Sequence, residues 1–211
     1  MDNILIIDKP KGLTSHDVID LVRKRLKVKK AGHCGTLDPM ATGVLVVLLN
    51  KATKLSSQFS ADDKEYLCTM TLGATTDTQD STGKVLKEAG LDGIDDDRIK
   101  EAIMSFKGKQ EQIPPMVSAK LHKGKRLYKL ARKGIEVERS PQQIEIKEIE
   151  IVGISKPEAE FKVTCSKGTY IRTLCHDIGE KLGCGAHMSA LRRMRSGKFH
   201  IDDAISAEDI R

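Results

Sequence analysis

The sequence predicts an α+β fold with a mixed, largely antiparallel sheet. Three observations support this: short apolar runs that end in turn residues, stretches where apolar and charged residues alternate, and helical patterns that do not follow each strand regularly. The length of 211 residues permits one large domain, or one domain with an insertion. Hydrophobic residues make up 39% of the chain and charged residues 31%, a balance that excludes an intrinsically disordered protein.

The first part of the chain predicts strands and helices in turn. Residues 4–7 form an apolar run that leads into a turn, as a buried strand does. Thr14 or Ser15 then caps a helix, because apolar residues follow at helical spacing: Val18, Leu21, Val22 and Leu26. The glycine-rich residues 32–43 predict no regular element, residues 44–49 predict a second buried strand, and residues 51–59 predict a short helix.

The rest of the chain adds alternating strands and three helices. Residues 66–72 place every second side chain on one face, and residues 144–151 and 158–165 alternate apolar with charged side chains, so all three are predicted strands. Residues 74–83 are polar and predict a loop. Helices are predicted at residues 95–106, 124–132 and 171–182.

The basic residues are clustered. The formal net charge is only +6, but the cations concentrate at residues 23–30, 120–133 and 192–198. Three basic clusters in a folded domain suit a polyanion that lies across it. Solvated basic faces are the alternative interpretation.

Cysteine usage and the N-terminus predict a cytoplasmic protein with reduced thiols. The five cysteines are an odd number without a Cys-x-x-Cys pair, so neither a disulfide framework nor a structural zinc site is expected. The first apolar run is too short for a signal peptide, and no stretch is long enough to span a bilayer.

The loop at residues 32–43 is the strongest candidate for chemistry. Its glycines permit sharp turns and close approach to a ligand, and Pro39 stiffens the chain directly after Asp38. Asp38 is therefore predicted to present a carboxylate on a stiff loop. On local pattern alone, an Asp in a turn that caps the next segment is the more ordinary explanation.

Five segments resemble the TruB-type pseudouridine synthases. The string Gly-His-Cys-Gly-Thr-Leu-Asp-Pro at residues 32–39 looks like that family's signature. Four further segments look like family segments in the same order, so the resemblance runs from about residue 4 to about residue 205: residues 8–15, 64–80, 168–174 and 191–193.

The resemblance implies a pseudouridine synthase fold and the isomerisation of uridine to pseudouridine in RNA. The base leaves the sugar through its nitrogen, rotates and rejoins through carbon, so atoms are only rearranged and no cofactor or metal is expected. One carboxylate is enough to start this, by attacking the sugar carbon or by removing a sugar proton.

The resemblance assigns the catalytic roles to Asp38, Tyr66 and Arg172. Asp38 matches the catalytic carboxylate, and Arg172 matches the arginine that pairs with it. Tyr66 matches the tyrosine that stacks on the flipped base, although a lone tyrosine on a strand is usually a core residue. Supporting or substrate-binding roles are implied for Lys9, His33, Asp80, Tyr170 and Leu191; for Asp80 a solvated turn, and for Leu191 a core position, are the alternatives.

Contacts with the RNA backbone are expected from the two later basic clusters. The candidate residues are Lys123, Lys125, Arg126, Lys129, Arg192 and Arg193. Phosphate contacts of this kind supply much of the affinity of RNA-binding proteins.

The resemblance also implies a domain plan and a substrate. Residues 1–211 are expected to form the catalytic domain, without the small C-terminal RNA-binding (PUA) domain that members commonly carry. The expected substrate is the tRNA T-arm, modified at position 55 in the T-loop by a monomeric enzyme. Two alternatives remain at this stage: another structured RNA with a similar loop, and an RNA-binding or RNA-folding protein in which catalysis is secondary.

Overall fold

The computed structural model describes residues 3–118, 120–122 and 124–210. The chain divides into two compact units, residues 1–67 with 191–211, and residues 68–190. Within the described residues, no helix is long and apolar enough to cross a membrane.

The elements confirm an α+β architecture. In chain order they are β1 (Ile4–Lys9), α1 (Ser15–Leu26), β2 (Ala31–Cys34), β3 (Thr42–Leu49), a 3-10 helix (Asn50–Leu55), α2 (Ser56–Ser60), β4 (Lys64–Leu72), β5 (Ala74–Thr76), β6 (Val85–Glu88), α3 (Asp96–Met104), β7 (Gly108–Gln112), β8 (Leu121–His122), β9 (Lys125–Arg126), α4 (Leu127–Ala131), β10 (Gln142–Ser155), β11 (Glu158–Cys165), α5 (Ile171–Leu182), β12 (Ala186–Ser196), β13 (Phe199–His200), a second 3-10 helix (Ile201–Asp203) and β14 (Ile205–Ser206).

The first unit is built on the apolar strand β3. Strands β1 and β2 pair with it antiparallel, and the end of β12 pairs with it in parallel. Strand β14 adds in parallel to β1. Alternate side chains of β3 enter two core clusters, one on each face of the sheet, so nearly all of them are buried.

Helix α1 covers one face of this sheet. Thr14 is its N-cap, and the Thr14 hydroxyl and the Asp17 carboxylate each accept a hydrogen bond from the other residue's backbone N–H. The predicted apolar stripe packs as expected, since Val18 and Val22 join Ile7 and Leu45 in one core cluster. The helix stops at Lys27, whose φ of 51° is left-handed.

The second unit contains the strand order β4-β11-β10-β7. Strand β4 buries every second side chain, as predicted from its alternation. Helix α5 occupies the predicted residues, and it buries Ile171, Leu174 and Ile178. The chain passes from one unit to the other within β4 and again within β12.

Four local predictions need correction. Residues 31–34, at the start of the glycine-rich stretch, form β2, because pairing with β3 satisfies their backbone groups. Residues 74–76 are a strand rather than loop, since they pair with β6. The helix expected at residues 124–132 covers only Leu127–Ala131, and the one expected at residues 51–59 is a 3-10 turn followed by the short α2.

Candidate active site

Asp38 lies in the loop between β2 and β3, and the backbone on both sides of it is held in place. The Ser15 hydroxyl accepts a hydrogen bond from the Leu37 N–H at 2.9 Å and donates one to the Leu37 carbonyl at 3.1 Å. The Asp38 carbonyl accepts a bond from the Ala41 N–H at 3.0 Å. The half-buried Asp38 side chain therefore projects from a backbone with little freedom to shift.

Lys9 also holds this loop, through a hydrogen bond to its backbone. Its ammonium group donates to the carbonyls of Leu13 at 2.7 Å, Pro10 at 2.8 Å and Pro39 at 3.3 Å. The Pro39 carbonyl also accepts a bond from the Gly12 N–H at 2.8 Å. Lys9 is fully buried, and this burial lowers its pKa to about 8 although the charge of Asp38 acts in the opposite direction.

Arg193 and Arg192 point to opposite faces of β12 and have different environments. Arg193 is 1% exposed, and it donates to the carbonyls of Val44 at 2.6 Å and Gly35 at 3.1 Å. The predicted contact with the RNA backbone does not fit Arg193, because a buried guanidinium offers phosphate no access.

Arg192 is half-exposed and forms a bidentate pair with Asp8, at 2.7 and 3.1 Å. The pair borders a surface cavity of about 250 Å³ that Thr42 also lines. Arg192 is therefore partly exposed to solvent, and its contact with the RNA backbone stays a prediction.

Tyr66, His33 and Leu191 also belong to the first unit. Tyr66 is 9% exposed and lies on the inward face of β4, two residues after the buried Lys64. His33 is a half-buried residue of β2, immediately before Cys34. Leu191 is 8% exposed, an apolar side chain at the start of this unit's second segment.

Arg172 and Asp80 come together in the second unit. A distance of 3.6 Å separates the Arg172 Nη1 from the Asp80 Oδ2, and both side chains are almost fully buried. Arg172 also donates to the carbonyls of Thr78 at 3.0 Å and Val117 at 2.9 Å. The Asp80 carboxylate accepts bonds from the Thr78 hydroxyl and from the Thr82 N–H. Asp80 is thus a buried network residue and not a solvated turn residue.

The side-chain amides of Gln112 and Gln79 hold the backbone and the side chain of residues next to Arg172. Gln112 brackets Tyr170, accepting from its N–H at 2.8 Å and donating to its carbonyl at 3.0 Å. Gln79, at a φ of 62°, accepts a bond from the Thr173 hydroxyl. These bonds orient the start of α5, where Arg172 is the second residue. The pairing of Arg172 with Asp38 stays a prediction.

Sequence reasoning missed the supporting role of Ser15. It weighed Ser15 as a helix cap, whereas Thr14 caps α1 and leaves the Ser15 hydroxyl to hold Leu37. One feature of the sequence could have indicated this role: Ser15 belongs to the family-like segment at residues 8–15. Lys9, in the same segment, also bonds the Asp38 loop.

The predicted RNA-contacting residues in the second unit are exposed where the structure describes them. Lys125, Arg126 and Lys129 lie at the end of the β8–β9 hairpin and on the short helix α4. Lys123 lies outside the described residues.

Cys34 lies four residues before Asp38, but burial raises its pKa to about 11, so the thiol stays protonated at neutral pH. Among the described residues, no group of three or more His, Cys, Asp or Glu side chains is arranged to hold a metal ion.

Two family models cover most of the chain. The N-terminal domain of TruB family pseudouridylate synthases matches residues 23–171, and the C-terminal domain of tRNA pseudouridylate synthase B matches residues 172–211. The tRNA pseudouridine synthase B of Syntrophotalea carbinolica is 48% identical over 210 residues, which is 100% of this chain and 69% of that protein. The Clostridium tetani protein of the same name is 50% identical, over 100% of this chain and 73% of its own length.

Solved structures show the same fold. A chain in the crystal structure of a Cbf5–Nop10–Gar1 complex superposes with a TM-score of 0.77 at 36% identity, over 98% of this chain and 53% of that chain. A chain of an H/ACA RNP bound to a substrate RNA gives 0.73 at 33% identity, over 98% and 51%. This chain spans about half the length of those solved chains. A family model that matches residues 23–171, together with relatives about 50% identical over the whole chain, shows that the chain belongs to the TruB family of pseudouridine synthases.

Proposed function

We propose that the protein isomerises one uridine of tRNA to pseudouridine, at position 55 in the T-loop, and that Asp38 starts the reaction. The observation that carries the proposal is the fixed loop around Asp38, in which Ser15, Lys9 and Gly12 bond the residues on either side of it. Enzymes hold a reacting group in this way because a small displacement slows the chemical step. The tRNA pseudouridine synthase B relatives support tRNA as the substrate.

The chemistry needs one ionised carboxylate and a base that has left its stack. Asp38 attacks the sugar carbon C1′, or removes a sugar proton, so that the bond from C1′ to the base nitrogen N1 breaks. The base then rotates and C5 bonds to C1′, while Asp38 leaves C1′ or returns the sugar proton. C5 loses its proton to solvent, and N1 takes one up. Every atom of the uridine except this exchanged proton stays in the product.

Tyr66 and Arg172 carry the remaining roles in this proposal. Tyr66 stacks on the flipped uracil, which offsets part of the lost stacking, and a single-stranded loop releases such a base at low cost. Arg172 stabilises the ionised carboxylate, because a planar, permanently charged guanidinium suits a carboxylate partner. The exposed cations Lys125, Arg126 and Lys129 contact the RNA backbone, and the enzyme acts as a monomer.

The test is release of tritium from tRNA transcribed with uridine labelled at C5. We expect release by the wild type, and a rate lower by more than about 1000-fold for Asp38→Asn, because the amide neither attacks nor accepts a proton. Asp92→Asn, which changes an exposed Asp in the same way, is the matched control and should release tritium at the wild-type rate.

Binding measurements complete the experiment. Affinity of Asp38→Asn for tRNA should be unchanged or higher, since a carboxylate facing a polyanion does not favour binding. Release by Asp38→Asn at the wild-type rate would refute the role of Asp38. Binding without release by the wild type would favour another structured RNA as substrate, or an RNA-binding role.

A further inference from the structure

Arg193 is a buried cation whose partners are backbone carbonyls. It is 1% exposed and is among the largest fully buried side chains of the described residues. Its Nε donates to the Val44 carbonyl at 2.6 Å, and its Nη2 donates to the Gly35 carbonyl at 3.1 Å. A charge is strongly disfavoured inside a protein unless its hydrogen bonds are well placed, so its position here calls for a specific explanation.

The two carbonyls lie at the two ends of the Asp38 loop. Strand β2 stops at Cys34, so Gly35 is the first residue of the loop, and Val44 lies just inside β3, where the chain returns. A single guanidinium that bonds both positions holds the base of the loop at a set width. The planar fork of Arg makes two such bonds in fixed directions, which the ammonium of Lys does not do.

The backbone of Arg193 fits the loop as closely as its side chain does. Arg193 pairs with Gly43 in the parallel ladder between β12 and β3. A Cβ atom on Gly43 would lie 2.2 Å from the Arg193 carbonyl oxygen, and Gly43 has a φ of 99° that favours glycine. At Gly35 a Cβ would lie 3.4 Å from the Arg193 Nη1. Gly43 therefore leaves room for the backbone of Arg193, whereas a Cβ at Gly35 would make only an ordinary van der Waals contact with its guanidinium.

We propose that Arg193 is a positioning residue for Asp38, which acts by fixing the base of the residue 35–41 loop and makes no contact with RNA. Ser15 and Lys9 hold the loop next to Asp38, and Arg193 holds it where it leaves and rejoins the sheet. The inference rests on the proposed function, because the predicted effect is a change in the rate of the reaction that Asp38 starts.

The test compares Arg193→Met and Arg193→Lys with Val22→Ala. Val22 is a fully buried residue of α1 in the same unit, seven positions beyond Ser15, and it measures the effect of lost stability alone. The single-turnover rate is measured at saturating enzyme, well below the melting temperature of each variant. The dissociation constant for tRNA is measured over a range of salt concentrations.

We expect Arg193→Met to lower the saturated rate by about 10- to 100-fold, because a displacement of roughly 1 Å at a reacting group has this effect. Arg193→Lys, which keeps the charge but makes fewer fixed bonds, should give an intermediate rate and remains informative if Arg193→Met does not fold. The affinity and its salt dependence should equal those of the wild type in both. Val22→Ala should melt earlier and react at the wild-type rate.

Other results would overturn the inference. If an Arg193 variant reduced the slope of log affinity against log salt by the amount of about one phosphate contact and kept the saturated rate, Arg193 would be an RNA-contacting residue. Equal rates for the wild type and both Arg193 variants would remove its positioning role and leave the proposed function intact. Inactivity of the wild type would instead overturn the proposed function, and this inference with it.

Discussion

At the scale of single residues, Lys9 shows how closely charge and structure are connected at this site. Its ammonium group lies among the carbonyls of Pro10, Leu13 and Pro39, and burial lowers its pKa from 10.5 to about 8. In the unfolded chain, Lys9 keeps its proton up to about pH 10.5. Between these two values the unfolded state binds more protons than the folded state, so the contribution of Lys9 to stability rises with pH.

A comparison with Lys9→Met tests this linkage. The free energy of unfolding of the wild type, relative to Lys9→Met, should increase from pH 7.5 to pH 10. Urea denaturation of both proteins at the two pH values measures it, and other titrating groups cancel in the difference. Lys11→Met alters a neighbouring exposed Lys and is the control. Its free energy of unfolding should differ from that of the wild type by the same amount at both pH values. If the wild type and Lys9→Met also differed by the same free energy of unfolding at pH 7.5 and pH 10, the lowered pKa of Lys9 would be refuted.

Arg192 differs from Arg193 in being accessible, and it is expected to contact RNA. Arg192→Met should weaken tRNA binding and reduce the slope of log affinity against log salt by about 0.7 to 0.9, the value for one phosphate contact. The saturated single-turnover rate should stay at the wild-type value. Filter binding at several salt concentrations measures the slope, with Arg98→Met as the control for an exposed Arg outside the basic clusters. An unchanged slope would exclude the contact.

Residue patterns made Asp38 a candidate, but they do not reveal the burial of Arg193. Asp38 stands among glycines and beside Pro39, and the resemblance of the string at residues 32–39 to a family signature singles it out within a short stretch of sequence. The partners of Arg193 are 149 and 158 residues away along the chain. In the sequence, Arg193 is one of several basic residues in a cluster. Only the folded sheet shows that Arg193 is buried while its neighbour Arg192 is partly exposed.

At the scale of elements, the contact between β3 and β12 depends on Gly43. Gly43→Ala should lower the free energy of unfolding by roughly 3 kcal/mol or more, because left-handed strain adds to a steric overlap with the Arg193 backbone. Gly12→Ala is the matched control, since Gly12 has a φ of 94° and open space around it. It should lose only about 1–2 kcal/mol from strain. Chemical denaturation measures both, and equal losses would refute the overlap.

Elements with a strong local pattern were predictable, and elements defined by their partners were not. The strand β11 and the helix α5 have the predicted bounds, because alternation and helical spacing run through each of them. Strand β12 was not predicted. Its residues 192–195 contain three arginines, and a strand of this composition forms only because Asp8, Glu65 and backbone carbonyls satisfy those charges.

At the scale of the whole molecule, the placement of charge should matter more than its total. The triple variant Lys125→Gln, Arg126→Gln and Lys129→Gln reduces the formal charge from +6 to +3. So does the scattered triple variant Lys54→Gln, Lys87→Gln and Lys109→Gln, which alters exposed side chains outside the basic clusters. Only the clustered variant should bind tRNA distinctly more weakly and with a smaller salt dependence. Equal effects in salt-dependent binding assays would mean that net charge alone attracts the RNA.

The two-segment construction of the first unit has a consequence for synthesis on the ribosome. Residues 68–190 are translated between the strands that carry the Asp38 loop and the arginine that closes its base. At about 5–20 residues per second, that interval lasts roughly 6 to 25 s. During this time the nascent chain holds an Asp38 loop without its Arg193 contacts. A newly made molecule therefore becomes competent only after residues 191–211 emerge, and the inserted unit can fold before the first unit has both of its segments.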